Sequence, residues 1–359
     1  MHCTIEPYHF PLRQPFVTSG WTLTSREILL FSITDETRAV TGWGESAPLP
    51  AFGTEDLARS RAALDAARQT LAAMTEIPAP DALRLTEWIP ALTHAPAARF
   101  AVECALLDAY ARGRNMTLRA LLAEGEDFRP VDRVPVNAVI GALSLEDTAA
   151  AAARACEHGF SCLKLKVGSG PIEDDIARIR AVIMAVPEGI RLRLDANGAW
   201  DFAEAELALH EFAIYDVEYV EQPVPAADID EFSALTALGI IPLAADESAQ
   251  DLAQARTLLA REAVDLFVLK PMAAGSLRDA RRFAIDAHAR GRETVFTSLI
   301  DSSIARHAVA QLCASLPFPM RPQGLATGLS FERDTHRDRL EDGYFLLSGE
   351  PGLGIDPSR

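Results

Sequence analysis

The sequence predicts an α/β protein in which a barrel of parallel strands is surrounded by helices and preceded by a separate α+β region. From residue 134 onward, strand-like apolar runs alternate with helical stretches at a repeat of roughly 25 residues, which fits one strand, one helix and two loops. Before that point, several strand-like runs are followed by several helical stretches. No Gly-x-Gly-x-x-Gly follows the first strand of the alternating part, which removes the commonest reason to choose an open doubly wound sheet.

The first region combines a sheet with helices. Residues 1 to about 50 are expected to form a β-meander, with strands over 27–33 and 40–45 separated by a polar turn. A helix is predicted to begin at Thr54 as its N-cap and to run to about residue 74. A second helix is predicted over 97–112, where apolar residues recur on one stripe.

A loop of mostly small residues over 16–22 contains Trp21. Loops carry functional residues disproportionately, so Trp21 is a candidate substrate contact. We expect this loop to close over a site at the mouth of the barrel and to exclude water from it.

The alternating part supplies eight strand candidates. They lie at 134–140, 162–167, 191–195, 218–221, 241–246, 265–270 and 293–297, with a weaker eighth near 323–326. The helices between them include 145–158 and 277–290. After the eighth candidate the chain has only a short strand over 344–347, and we expect this tail to return to the N-terminal region.

Composition restricts the partners and the compartment. The formal charge of −17 argues against nucleic acid or an anionic membrane surface as a partner, so an anionic substrate would need local positive charge. No apolar run is long enough to cross a membrane, and no signal segment is evident. The five scattered cysteines are expected to be free thiols in the cytoplasm. The sequence carries no signal for a particular oligomeric state.

Charged residues stand at the C-terminal ends of consecutive strand candidates, where active sites of such barrels gather. They are Lys164 and Lys166 on one face of the second, Asp195 in the third, Glu221 in the fourth, Asp246 in the fifth and Lys270 in the sixth. Three converging carboxylates repel one another unless a hard cation neutralises them, so we expect Mg²⁺, with Mn²⁺ as the alternative. The three carboxylates could instead be independent helix caps, but their occurrence at the ends of three consecutive strands, between flanking lysines, argues against this explanation.

The segments around these residues resemble the enolase superfamily, muconate-lactonizing subgroup. They are the Lys-x-Lys strand, Asp195-Ala196-Asn197, Val220-Glu221-Gln222-Pro223, Ala245-Asp246-Glu247-Ser248 and Leu269-Lys270-Pro271, together with Gly42 to Pro50. The resemblance covers nearly the whole chain. It implies a modified TIM barrel, (β/α)7β, over 131–328, with an α+β capping domain over 1–130 that is completed by the tail 329–359.

The resemblance also implies roles for the charged residues. Asp195, Glu221 and Asp246 match magnesium ligands, Lys166 matches the base that removes a proton α to a carboxylate, Lys164 its partner and Lys270 the lysine on the opposite face. Arg193, which faces the barrel interior, is expected to pair with a carboxylate there rather than to touch substrate.

Within the subgroup, residues 296–305 and 323–328 are similar to the o-succinylbenzoate synthases of menaquinone and phylloquinone biosynthesis. That similarity implies a lyase that converts 2-succinyl-6-hydroxy-2,4-cyclohexadiene-1-carboxylate to 2-succinylbenzoate by syn loss of water. The candidate contacts to this small carboxylate substrate are Asn197, Ser298, Asp301, Ser302 and Trp21. Asn197 has the alternative of capping a turn and Ser302 that of a plain N-cap, and many relatives have Glu in place of Asp301.

Other functions remain open at this point. The nearest is 1,1-proton transfer by an N-succinylamino acid racemase or a dipeptide epimerase that uses the same two lysines. Epimerases of the subgroup carry Asp-x-Asp at the end of the eighth strand, and residues 325–328 offer no acid there, which disfavours an epimerase. A muconate-type cycloisomerase is a third hypothesis. A catalytically silent barrel that serves as a binding or structural protein would have no reason to keep all these charges.

Overall fold

The computed structural model describes residues 1–17, 22–141 and 143–357. Trp21 and the tip of its loop lie outside the described residues, so the closure of that loop stays a prediction. The described strands are β1 (His2–Val17), β2 (Thr22–Asp35), β3 (Val40–Ser46), β4 (Arg133–Pro135), β5 (Ala138–Ile140), β6 (Cys162–Lys166), β7 (Arg191–Asp195), β8 (Val217–Glu221), β9 (Leu243–Ala245), β10 (Leu266–Leu269), β11 (Glu293–Phe296), β12 (Leu340–Glu341) and β13 (Tyr344–Leu346).

The described α-helices are α1 (Leu57–Ala72), α2 (Leu85–Trp88), α3 (Pro96–Gly113), α4 (Leu118–Leu122), α5 (Leu145–Glu157), α6 (Ile172–Ala185), α7 (Phe202–Phe212), α8 (Ile229–Leu238), α9 (Leu252–Ala260), α10 (Pro271–Ala274), α11 (Leu277–Ala289) and α12 (Ser303–Ala314). Most predicted elements are confirmed to within two residues. In the described part of the chain, no helix has the length and apolar character needed to cross a membrane.

The N-terminal sheet is an antiparallel meander, β1-β2-β3, that packs on α3. A Cβ added at Gly42 or Gly44 of β3 would come within 2.0 or 1.9 Å of a carbonyl oxygen of α3, so only glycine allows strand and helix to lie this close. The predicted N-cap of α1 was wrong: Asp56 caps the helix by accepting from the Arg59 N–H, and the Thr54 hydroxyl instead accepts from the Leu49 N–H.

The second sheet is parallel and runs in the order β11-β10-β9-β8-β7-β6-β5. The eighth segment closes the ring, because Gln323 bridges Val136 and Gly324 bridges Thr297. The architecture is therefore a modified TIM barrel with a capping domain. The predicted first strand, 134–140, is divided into β4 and β5, since β4 pairs with the tail strand β13 while β5 pairs with β6.

The C-terminal tail crosses back to the N-terminal region. The Glu332 N–H donates to the Pro11 carbonyl, and the Leu353 N–H donates to the buried carboxylate of Asp108 in α3 at 2.7 Å. These contacts agree with the expected return of the tail. The domain boundaries at 130 and 328 themselves stay a prediction.

Glu45 of β3 is fully buried and caps the barrel helix α12. Its carboxylate accepts from the N–H groups of Ser302 at 2.7 Å and Ala305 at 3.1 Å, and from the Ser302 hydroxyl. Burial and the neighbouring Asp301 charge raise the pKa of Glu45 to about 7, and burial raises the pKa of Asp301 to about 6. One carboxylate therefore joins the N-terminal sheet to the barrel.

The contact makes a prediction about stability. Glu45→Gln puts an amide donor against groups that are themselves donors, so the free energy of unfolding should fall by roughly 1–3 kcal/mol. A carboxyl with a raised pKa holds its proton better in the folded state, so wild-type stability should decline as pH rises from about 4.5 towards 7. Urea unfolding at pH 5 and pH 7 should show a smaller decline in the variant. Equal declines would contradict the titration of Glu45.

Candidate active site

A cavity opens at the C-terminal ends of the barrel strands, beneath the capping-domain loop 49–52. The charged side chains predicted at the strand ends all line it: Lys164, Lys166, Asp195, Glu221, Asp246 and Lys270. These three lysines are also the only lysines in the 359-residue sequence. The structure therefore brings together the whole charged set that the strand ends predict.

The two lysines of β6 point into the cavity from one wall. The Lys164 ammonium lies 2.6 Å from Glu221 Oε1 and 2.8 Å from Asp195 Oδ2, and the Lys166 ammonium lies 2.6 Å from Asp195 Oδ2. Burial works against the charged form of Lys164, but Asp195 and Glu221 outweigh it and raise the Lys164 pKa well above its ordinary value. The two carboxylates therefore favour the charged form of Lys164.

Lys270 reaches the cavity from the opposite wall. It directly follows β10, which lies four positions from β6 in a ring of eight segments. Its ammonium hydrogen-bonds Asp246 and lies 3.7 Å from the centroid of the Phe52 ring. Lys166 and Lys270 therefore face one another across the carboxylates of the strands between them.

Those three carboxylates are almost completely buried. Burial raises the pKa of Asp195, but Lys164 and Lys166 reverse this effect and lower it overall. Burial and the Asp195 charge raise the pKa of Glu221 to about 8, and burial raises that of Asp246. Burial therefore disfavours the charged forms of Glu221 and Asp246, which a bound cation would offset.

The donor set fits a hard divalent cation. Glu221 Oε2 is buried and has no hydrogen-bond partner, and a cation with oxygen ligands would satisfy it. Within the described ranges, no three acidic, histidine or cysteine side chains are already arranged around one point as metal ligands. Asp195, Glu221 and Asp246 are instead directed at the lysine ammonium groups.

Asn197 orients the first lysine. Its Oδ1 accepts from the Lys166 ammonium at 2.6 Å, and its Nδ2 donates to Glu247 Oε1 at 2.9 Å. Its backbone has a φ of 47°, in the left-handed region that asparagine tolerates. Sequence reasoning missed Glu247, although its position beside Asp246 at a strand end was the available signal.

The remaining predicted contacts separate into two groups. Ser298 lines the cavity, and its hydroxyl lies 2.5 Å from the Thr327 hydroxyl. Asp301 and Ser302 are buried and do not line this cavity, so their contact with substrate stays a prediction. Ser302 is the N-cap of α12, and Glu45 already occupies the N–H groups that were expected to meet a carboxylate.

The rest of the described cavity lining is uncharged apart from Glu247. Its members that sequence reasoning missed include Leu49, Phe52, Val139, Tyr219, Val295 and Ile300. The sequence alone does not distinguish an apolar residue that lines a cavity from one that packs in the hydrophobic core. Below the cavity, Arg193 pairs with Glu218 at 2.5 Å inside the barrel, as predicted.

Comparison with known proteins gives two family matches. Residues 147–359 match the family described as enolase C-terminal domain-like, and residues 2–109 match the N-terminal domain of MenC. Together these matches extend over most of the chain.

Individual relatives catalyse more than one reaction. The L-Ala-D/L-Glu epimerase of Bacillus subtilis is 30% identical over 96% of this chain and 93% of its own length. An N-succinyl-L-Arg/Lys racemase of Bacillus cereus is 28% identical over 73% of this chain and 69% of its own length. An o-succinylbenzoate synthase of Desulfotalea psychrophila is 31% identical over 70% of this chain and 67% of its own length. A dipeptide epimerase of Enterococcus faecalis, solved with Mg and L-Leu-L-Tyr, superposes with a TM-score of 0.89 at 27% identity over 98% of both chains.

Arg26 of β2 joins the two sides of the cavity mouth. Its buried guanidinium donates to the carbonyls of Ala47 and Pro48, next to the capping-domain wall, and to the Ile300 carbonyl at 2.9 Å in the barrel wall. Ile300 has a φ of 53°, which is strained for a β-branched residue. Arg26 therefore holds a strained wall residue against the capping domain.

We expect Arg26→Lys to loosen both walls, since one ammonium lacks the planar fork that reaches all three carbonyls. Stability should fall by roughly 1–3 kcal/mol because buried carbonyls lose their partners. Hydrogen exchange should accelerate at the amides of Leu49 and Leu299 and stay unchanged at Trp43, which is bonded to Asp108 away from the mouth. Unchanged exchange at both walls would show that Arg26 does not hold them.

Proposed function

The chain belongs to the enolase C-terminal domain-like family, and from this membership we propose that it catalyses 1,1-proton transfer at the α-carbon of a carboxylate, as a racemase or epimerase of an amino-acid derivative. The observation that carries the proposal is the placement of Lys166 and Lys270 on opposite walls, with three carboxylates between them. Inverting a stereocentre needs one group to remove a proton and another to deliver one from the far side.

The main obstacle is the weak acidity of a proton α to a carboxylate, because its removal leaves a dianionic enediolate. Asp195, Glu221 and Asp246 would hold Mg²⁺, which supplies a Lewis acid for the substrate carboxylate and stabilises the developing charge. The Lys164 ammonium adds positive charge beside Asp195 and Glu221. Support for a divalent ion comes from the Mg complex of the Enterococcus faecalis relative.

Each lysine then serves one half of the reaction. For one enantiomer, the neutral Lys166 amine takes the α-proton and the Lys270 ammonium donates a proton to the opposite face of the enediolate. For the other enantiomer the roles reverse. Each positioned proton transfer contributes typically about 10²–10⁴-fold to the rate. Asn197 contributes by fixing the direction of Lys166.

For the substrate, we favour an N-acylated amino acid with an uncharged side chain. The end of the eighth segment presents Thr327, hydrogen-bonded to Ser298, where an acid would be needed to hold a free ammonium. Two hydroxyls are suited to an acyl carbonyl or a carboxylate. Apart from the charged centre and Glu247, the described part of the cavity wall is uncharged, which favours an uncharged substrate side chain over the arginine and lysine derivatives named for the Bacillus cereus racemase.

A second candidate is the syn-dehydration that forms 2-succinylbenzoate. The match of residues 2–109 to the MenC N-terminal domain favours it specifically, as does the similarity to an o-succinylbenzoate synthase. In that reaction Lys166 alone would remove the proton and return it to the departing hydroxyl, and Lys270 would only stabilise charge. We rank it second because the relatives that match along nearly the full chain include dipeptide epimerases.

We also propose a cytoplasmic location for the enzyme. All five cysteines are free thiols, and four of them are buried. Free thiols persist in a reducing compartment, which supports this location.

Metal binding gives the first test. Glu221→Gln keeps the shape of the side chain and removes its charge, so calorimetric Mg²⁺ affinity should fall at least about 10-fold. In the wild type, Mg²⁺ at 100 times its Kd should add about 2.7 kcal/mol to the free energy of unfolding. Asp301→Asn is the matched control, because Asp301 is a buried acid outside the cavity lining. Equal Mg²⁺ affinity in wild type and Glu221→Gln would contradict the metal site.

Isotope exchange gives the second test. In D₂O the wild type should exchange the α-proton of both enantiomers of an N-succinylamino acid. Lys166→Arg and Lys270→Arg keep the charge but remove a competent base, so each should lose exchange of a different enantiomer by at least about 10²-fold. Racemisation should be lost in both variants.

The cyclohexadiene substrate is assayed in parallel. A wild type that dehydrates it rapidly but exchanges neither enantiomer would reject the racemase and support the dehydratase. In that case dehydration should survive Lys270→Arg better than Lys166→Arg.

A further inference from the structure

We propose that Phe52 is a positioning residue for Lys270, so that the capping domain fixes the direction of one of the two bases. The inference rests on the two-base proton transfer proposed above. Its basis is an asymmetry between the two lysines that the proposed chemistry treats as equivalent.

The two ammonium groups have different surroundings. The Lys270 ammonium lies between the Asp246 carboxylate and the face of Phe52, 3.7 Å from the ring centroid. Lys166 is held by polar partners, the Asp195 carboxylate and the Asn197 amide oxygen. The Lys270 ammonium thus contacts the aromatic face of Phe52, whereas the Lys166 ammonium contacts the amide oxygen of Asn197.

An aromatic face restrains an amine in a particular way. It attracts the ammonium through the ring quadrupole and fills the space into which the flexible lysine side chain would otherwise turn. It offers no lone pair to which the ammonium could donate, unlike the amide oxygen of Asn197. The proton that Lys270 delivers is therefore left for the substrate or Asp246.

Phe52 can restrain Lys270 only if it is itself held, and its loop is closely tied. The Phe52 N–H donates to the Leu49 carbonyl at 2.8 Å, and the Leu49 N–H donates to the Thr54 hydroxyl at 2.6 Å. Gly53 has a φ of 80°, and a Cβ added there would lie 2.6 Å from the Gln250 side chain. A tight turn against the barrel therefore sets the position of the ring, which is 7% exposed.

This arrangement assigns the capping domain a task beyond forming a wall. If its loop shifts, Phe52 leaves Lys270 while Lys166 keeps both of its partners. The consequence is a selective one: the proton transfer between Lys270 and the α-carbon, in either direction, should depend on Phe52, and the proton transfer at Lys166 should not.

The kinetic test uses Phe52→Leu, which keeps an apolar side chain and removes the aromatic face. The exchange of the enantiomer that is lost in Lys270→Arg should fall about 10-fold more than the exchange of the other enantiomer. Leu49→Ala is the matched control, because Leu49 lines the same cavity from the same loop and has no ring to place on Lys270. It should change both exchange rates by the same factor. If Phe52→Leu lowers the exchange rates of both enantiomers equally, Phe52 only lines the cavity and the proposal is overturned.

A second measurement does not need activity. Protein labelled with ¹³C only at lysine Cε gives three signals, since the chain has three lysines, and the Lys→Arg variants assign them. The ring current of Phe52 should shift the Lys270 signal, and Phe52→Leu should move that signal and leave the Lys164 and Lys166 signals in place. A Lys270 signal that does not move would overturn the contact. If the wild type exchanges neither enantiomer, the proposed function fails instead, and the Lys270 signal still decides whether Phe52 holds the amine.

Discussion

The site depends on one electrostatic constraint: three carboxylates are buried side by side at the ends of neighbouring strands. In such an environment they must be neutralised, and the chain places all of its lysines there for that purpose. The chain as a whole carries a formal charge of −17, so the lysines together with a bound cation would give this site more positive charge than the average of the protein.

The barrel turns that constraint into geometry. Adjacent parallel strands are in register, with Lys166 opposite Asp195 and Asp195 opposite Glu221, so the charged residues form an arc along one rim. Because the ring has eight segments, the lysine after β10 faces the lysines of β6. A bound carboxylate held at the middle of the arc would then expose its two faces to different lysines, which is the requirement for inverting a stereocentre.

Sequence reasoning succeeded where periodicity and strand ends determine position. Alternation along 162–167 places Lys164 and Lys166 on one face, and each acid ends an apolar run, so their convergence follows from the fold. It could not anticipate contacts that depend on tertiary packing. Asp301 and Ser302 look like substrate contacts beside Ser298, but Glu45, more than 250 residues away in the sequence, takes the N–H groups of α12. Phe52 and Arg26 acquire their roles only when the capping domain meets the barrel.

The capping domain is therefore more than a cover for the barrel. Glu45 joins it to α12, Arg26 joins it to the strained wall residue Ile300, and Phe52 contacts Lys270. All three contacts meet the barrel between β10 and the first turns of α12, on the side of the site that holds Lys270. Lys166, on the other wall, has barrel residues as its hydrogen-bond partners in the described part of the chain. In the proposed racemase, the geometry of one base would be set within the barrel and that of the other would depend on the docked capping domain. Changes in the capping-domain loop could thus alter the balance between the two proton transfers without any change in the charged centre.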